Sequence, residues 1–204
     1  MGCLDNQFMG PYFRAILYRR GWGEGRGGKT IIDIGANTGD DTVSISKMFH
    51  PILQMCHMYS SPVQIVSVEP SPKVFCEMSD MVKTHLTKED IQHMNNVRLN
   101  VALSSKTGHL LFADPGHEGG KLIGTNFSDL AMMTTEEYAQ YSQCQYTEGE
   151  FRNMTLDNNR KTSVPTYTLD LLVASLENLG ETPPNQEIFV VKIDTEGKSE
   201  PHNI

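Results

Sequence analysis

No stretch of the 204-residue sequence approaches the ~20 consecutive apolar residues that a membrane-spanning helix requires, and no apolar segment follows the start Met. A membrane span is therefore excluded. Basic residues are also in short supply: 17 Lys and Arg face 25 Asp and Glu, for a net charge of -8. Phosphate contacts need clustered cations, so a nucleic-acid partner is disfavoured. The locally basic start (Arg14, Arg19, Arg20, Arg26 and Lys29 against Asp5 and Glu24) is a short arm. Only four cysteines occur, at positions 3, 56, 76 and 144, and none forms a C-x-x-C pair. With no export signal in view, the expectation is reduced thiols in a cytoplasmic protein. Cys56, His57, Cys76 and His85 lack metal-ligand spacing, so no metal is expected. Met1-Gly2-Cys3 lacks the Ser or Thr at position 6 that myristoylation favours, because Asn6 stands there. Asn126-Phe127-Ser128 and Asn153-Met154-Thr155 match the glycosylation sequon, a coincidence in a chain expected to stay inside the cell.

What is present alternates. Residues 1–29 end in a glycine-rich approach and form an N-terminal arm; 30–204 read as one domain. Thr30 to Ile34 is a β-branched run that stops at Gly35, which predicts a buried strand. Val43, Ile45, Met48 and Phe49 recur on one helix face, with Pro51 near its end. Val63 to Val68 predicts a second strand, and Val74, Phe75, Met78, Met81 and Val82 a second helix. A third strand is predicted over Val97 to Val101, and another over Gly108 to Phe112. Residues 113–163 read as an insertion, polar and aperiodic over 125–163, with a helix near Glu136 to Gln143. Val164 to Thr168, a helix from Leu169 to Leu179, and the strand Ile188 to Ile193 complete the pattern. The fold class is α/β, a parallel sheet with flanking helices.

In such sheets, ligands bind outside the carboxyl ends of the strands. Three polar groups lie at those ends: Asp33 to Gly39, Glu69-Pro70, and Asp194 to Gly197. Glycine lets backbone approach a ligand closely, and a carboxylate after the second strand can accept both hydroxyls of a ribose. The dinucleotide fingerprint G-x-G-x-x-G fails twice, because Asn37 and Asp40 stand where glycines are needed. Asp40 and Asp41 in the first helical turn would repel a pyrophosphate. A nicotinamide-dependent oxidoreductase is thus disfavoured, and a cationic nucleoside fits better. The plainer reading of these residues is turn chemistry and solvated loops.

The segments Ile31-Ile32-Asp33-Ile34-Gly35-Ala36-Asn37-Thr38-Gly39-Asp40, Val68-Glu69-Pro70, Asn100-Val101-Ala102-Leu103-Ser104, Thr168-Leu169-Asp170 and Val191-Lys192-Ile193-Asp194-Thr195-Glu196-Gly197 occur in that order. Together they resemble the FkbM family of methyltransferases, over roughly Ile31 to Gly197. The resemblance implies a class I, Rossmann-like fold and S-adenosylmethionine as cofactor, with O-methylation of a small molecule or sugar. It also implies that Asp33, Gly35, Asn37 and Gly39 hold the methionine and ribose, that Glu69 binds the ribose hydroxyls, and that Ala102 and Leu103 flank the adenine. Asp194 and Glu196 would face the transferred methyl. A hydroxyl acceptor must lose a proton, and Asp194, Glu196 and His117 are the candidate bases. The family continues past this last motif with further strands, and this sequence diverges after Gly197 and stops at Ile204. A truncated domain is expected, with its last strand an exposed apolar edge. The rival reading is a catalytically silent cofactor-binding or interaction module of the same fold.

Overall fold

The computed structural model describes residues 28–55, 63–88, 90, 94–113, 121–128, 131–144, 161–181 and 187–194. Its first half alternates: β1 (Lys29–Ile34), α1 (Asp40–Met55), β2 (Val63–Val68), α2 (Pro72–His85) and β3 (Met94–Leu99). With β8 (Glu187–Ile193), these strands form a parallel four-stranded sheet in the order β3-β2-β1-β8. The other elements are β4 (Ala102–Leu103), β5 (Gly108–Ala113), β6 (Lys121–Phe127), α3 (Thr135–Tyr141), β7 (Lys161–Tyr167) and α4 (Leu169–Asn178). A second four-stranded sheet runs β4-β7-β5-β6, with β5 antiparallel to both neighbours and β4 parallel to β7. The fold is α/β with a parallel central sheet.

The inner strands β1 and β2 are buried on both faces, which is why apolar residues dominate their centres. Side chains alternate across the sheet. Ile32, Ile34, Val66, Val68, Val97 and Leu99 pack on the α4 face with Leu172 and Leu176. Ile31, Val63, Ile65 and Met94 pack on the opposite face with Ile45 and Phe49 of α1. Val43 of α1 and Phe75, Met78 and Val82 of α2 form a third cluster around Ala36. Helix ends are set by sequence. Ser71 accepts from the Val74 N–H at the start of α2, with Pro72 in its first turn, and Thr134 with Glu137 forms a capping box on α3.

The α1 helix runs through Pro51 and ends at Met55, with the proline near its end as expected. The structure departs from expectation at three places. The third strand starts earlier and stops at Leu99, because Asn100 leaves the ladder to bind the loop after β2. The strand β6 was hidden by polar residues and Gly124 within it, and it places part of the 113–163 segment in a paired sheet. Finally, the thiols are not all reduced: Cys76 on α2 and Cys144 after α3 form a disulfide across 68 residues of sequence. Proximity in the fold, which no spacing reveals, brings them together. Among the described residues β8 is an edge strand, and Ile188, Val191 and Ile193 are exposed on it, whereas Val190, also expected at the exposed edge, packs against the core.

Candidate functional site

Three adjacent parallel strands deliver three turns to one end of the central sheet. After β1 the chain enters Gly35 (φ 74), Asn37 (φ 49) and Gly39 (φ 89), all left-handed, before α1 begins. Glycine takes this conformation without penalty, and Asn is among the few other residues that tolerate it. The N–H groups of Gly35 and Ala36 both donate to the Val68 carbonyl, at 2.9 and 3.1 Å, so the turn is folded across the end of β2. Gly39 also lies against α2: a Cβ there would stand 2.9 Å from the Met78 Cγ.

Glu69 links the first two turns. Its Oε2 accepts from the Asn37 N–H at 3.0 Å and its Oε1 from the Ser71 N–H at 2.8 Å. The side chain is buried, with 8% of its surface exposed. A carboxylate has roughly four acceptor positions, so these two bonds alone do not exhaust it. Asn100 holds the same loop from behind, its Nδ2 donating to the carbonyls of Glu69 and Pro70 at 2.8 and 3.0 Å. Its own N–H donates to the Tyr141 carbonyl of α3.

The third turn starts at Asp194, whose N–H donates to the Ile34 carbonyl at 2.9 Å, fixing it beside Gly35. Its side chain is about half exposed, 3.9 Å from the Lys192 ammonium. Glu196 and His117, the other two candidate bases, lie outside the described residues.

Asp33 is placed differently from the other predicted residues. It is 0% exposed, and its oxygens bond Lys192 Nζ at 3.0 Å and Thr42 Oγ1 at 3.0 Å. Lys192 also meets Asp41 at 2.8 Å, and Thr42 Oγ1 lies 2.8 Å from Ser67 Oγ. Asp33 therefore braces the turn from beneath, through Lys192 and Thr42. Burial pushes its carboxyl above the usual carboxylate range, and the Lys192 charge and hydrogen bond oppose that rise. Burial pulls the Lys192 ammonium downward, but the hydrogen bond it donates to Asp41 and the charge of the nearby Asp33 outweigh that, and the net shift is upward. The two partners pull in opposite senses. We take the ion pair as the governing state, since both carboxylates lie within bonding distance of one cation.

Ala102 and Leu103 form β4 in the second sheet, directly after Asn100 and Val101. Ala102 is buried, and Leu103 packs against the core that contains Val101 and Tyr167. The structure thus joins Gly35, Asn37, Gly39, Glu69 and Asp194 at one end of the sheet and sets Ala102 and Leu103 beside that group along the chain.

Sequence reasoning gave no role to Lys192, Thr42, Ser67 and Asn100. One signal was available: a lone lysine inside Val190-Val191-Lys192-Ile193 sits in an apolar strand, where a charge needs a buried partner. Thr42, Ser67 and Asn100 carry no comparable mark. The cluster as a whole combines a left-handed backbone turn, a buried carboxylate and an exposed carboxylate at the end of β8. Comparison with family models, with curated proteins and with solved structures returns no match, so the geometry alone bears on function.

Proposed function

We propose that this chain is an S-adenosylmethionine-dependent methyltransferase domain of class I, Rossmann-like architecture and FkbM type, acting on a hydroxyl of a small molecule or sugar. The observation that carries the reading is Glu69 bonded to the Asn37 N–H, with Gly35 and Asp194 tied to the same strand ends. In a parallel sheet that position is where nucleosides bind. The charge pattern fits a cationic ligand: Asp40 and Asp41 occupy the first turn of α1, and Glu69 and Asp194 add two more carboxylates nearby. The dinucleotide alternative would seat a pyrophosphate on that acidic helix start.

The bound cofactor would supply an activated methyl group for in-line transfer. Every other contribution is the protein's. The left-handed turn from Gly35 to Gly39 lets backbone lie close to the methionine and ribose portions. Glu69 orients the ribose diol, and Asn100 fixes the loop that carries it. Asp194, exposed at the mouth, accepts the proton that an acceptor hydroxyl gives up. Positioning supplies much of the acceleration in such a displacement.

Calorimetry with S-adenosylhomocysteine tests the cofactor site. Binding that Glu69→Ala weakens by about 10- to 100-fold is expected, corresponding to the ~1.5–3 kcal/mol of a hydrogen bond to a charged group. No heat of binding to the folded chain would sink the reading. Among the described residues β8 pairs with β1 alone, and its exposed apolar side chains favour one alternative, a cofactor-binding module that does not transfer methyl. Measuring transfer and binding on the same sample separates the two.

A further inference from the structure

We propose that Asn126 is an N-glycosylation site and that this chain matures in an oxidising, oligosaccharide-bearing compartment. Two observations carry this independently of the methyl-transfer reading. The first is the Cys76–Cys144 disulfide. Cys76 is 1% exposed, and its Cα lies 5.0 Å from that of Cys144, within the range that natural disulfides span. Such bonds persist in secretory and extracellular settings, whereas the cytosol keeps thiols reduced.

The second is the placement of Asn126-Phe127-Ser128. This triplet meets the acceptor rule, with a residue other than proline in the middle. It lies at the end of β6, which among the described residues is the outermost strand of the second sheet and pairs with β5 alone. Residues 125 to 128 are all exposed. The Phe127 ring lies 5.6 Å from the Lys106 ammonium, and strand alternation turns Asn126 to the opposite face. Thr107 and Ser128 hold the backbone beyond it: the Ser128 N–H donates to the Thr107 carbonyl, and the Thr107 hydroxyl donates to the Ser128 carbonyl at 2.6 Å. A glycan on Asn126 would therefore project from a sheet edge without displacing a packed residue. It would also cover an open ladder that leaves Phe127 46% exposed.

The chemistry balances with two co-reactants of that compartment. Asn126 Nδ2 forms a bond to the anomeric carbon of a lipid-diphosphate-linked oligosaccharide. The sugar–phosphate C–O bond breaks, the lipid diphosphate leaves with the electron pair, and Nδ2 releases one proton. The Cys76 and Cys144 thiols together give two protons and two electrons to the disulfide of a dithiol oxidoreductase, which becomes a dithiol.

The test uses the full-length chain recovered from cells of its own source, alkylated on lysis and treated with peptide N-glycosidase. A mobility shift is expected, with Asn126 converted to aspartate in its peptide. Asn126→Gln and, separately, Ser128→Ala should each remove that modification; Ser128→Ala keeps the asparagine itself. The Cys76 and Cys144 peptides should stay linked until a reductant is added. Recovery of Asn126 as unmodified asparagine overturns the glycosylation site, and alkylated Cys76 and Cys144 without prior reduction overturn the compartment.

Discussion

Glu69 and Asn37 stand 32 positions apart in sequence and meet where the Asn37 N–H donates to Oε2 at 3.0 Å. With the Ser71 N–H on Oε1, that carboxylate joins the turn after β1 to the turn after β2. Replacing Glu69 with glutamine puts an NH2 group against one of two buried N–H donors. Glu69→Gln is expected to lower stability by about 1–3 kcal/mol, the cost of leaving a buried donor unmet. Denaturant unfolding measures it; a midpoint equal to wild type would show that the bridge does not hold the turns.

Asn37 has φ 49, a conformation hostile to branched side chains. Asn37→Gly should keep stability within about 0.5 kcal/mol, and Asn37→Val should lose roughly 1–2 kcal/mol to left-handed backbone strain. Equal melting temperatures for the two variants would refute the left-handed assignment.

Lys192 neutralises Asp33 and Asp41 together. Lys192→Met keeps the aliphatic stem but strands two carboxylates, one of them fully buried. A loss of about 3–5 kcal/mol is expected near neutral pH. The pH dependence has a definite sign. Asp33 titrates above its ordinary 3.8, so its ionised form costs stability that returns as pH falls through the folded-state value. Without Lys192 that cost grows, and the gap between variant and wild type should narrow toward acid. At the other end, Lys192 titrates above its ordinary 10.5, so its stabilisation is complete below 10.5 and disappears as pH rises through the folded value. The gap should narrow there too. A gap independent of pH would mean that the cluster does not act through charge.

The disulfide closes a long loop between α2 and the segment after α3. Cys76→Ser should destabilise the fold by about 4–5 kcal/mol, the loop-entropy expectation for a separation of 68 residues. Thermal unfolding with and without reductant provides the check. Wild type should fall toward the variant when reduced, while the variant stays unmoved.

Much of the central sheet was legible because its inner strands carry β-branched apolar runs, Ile31-Ile32 in β1 and Ile65-Val66 in β2, that are buried on both faces. Both β1 and β2 announce themselves in this way, and Gly35 and Pro70 punctuate them. The second sheet was harder, since β6 mixes Lys, Gly, Thr and Asn in a strand with one free edge. At the site, Gly35, Asn37, Gly39 and Glu69 were legible as turn residues at strand ends. Asp33 was legible as a charged residue in an apolar strand but not as a buried one, because its partners Lys192 and Thr42 lie 159 and 9 residues away. The cysteine pairing left no trace in sequence at all. Such long-range pairings exist only once the chain has folded.

Gly39 sits against Met78 so closely that even a methyl group would collide with α2. That contact makes the helix a strut under the turn. Two residues before Met78, the same helix is joined through Cys76 to the stretch that follows α3, and the Tyr141 carbonyl in that helix's last turn accepts from the Asn100 N–H. The turn after β1 and the loop after β2 therefore rest on one cross-linked frame, in which position 39 has no room for a side chain.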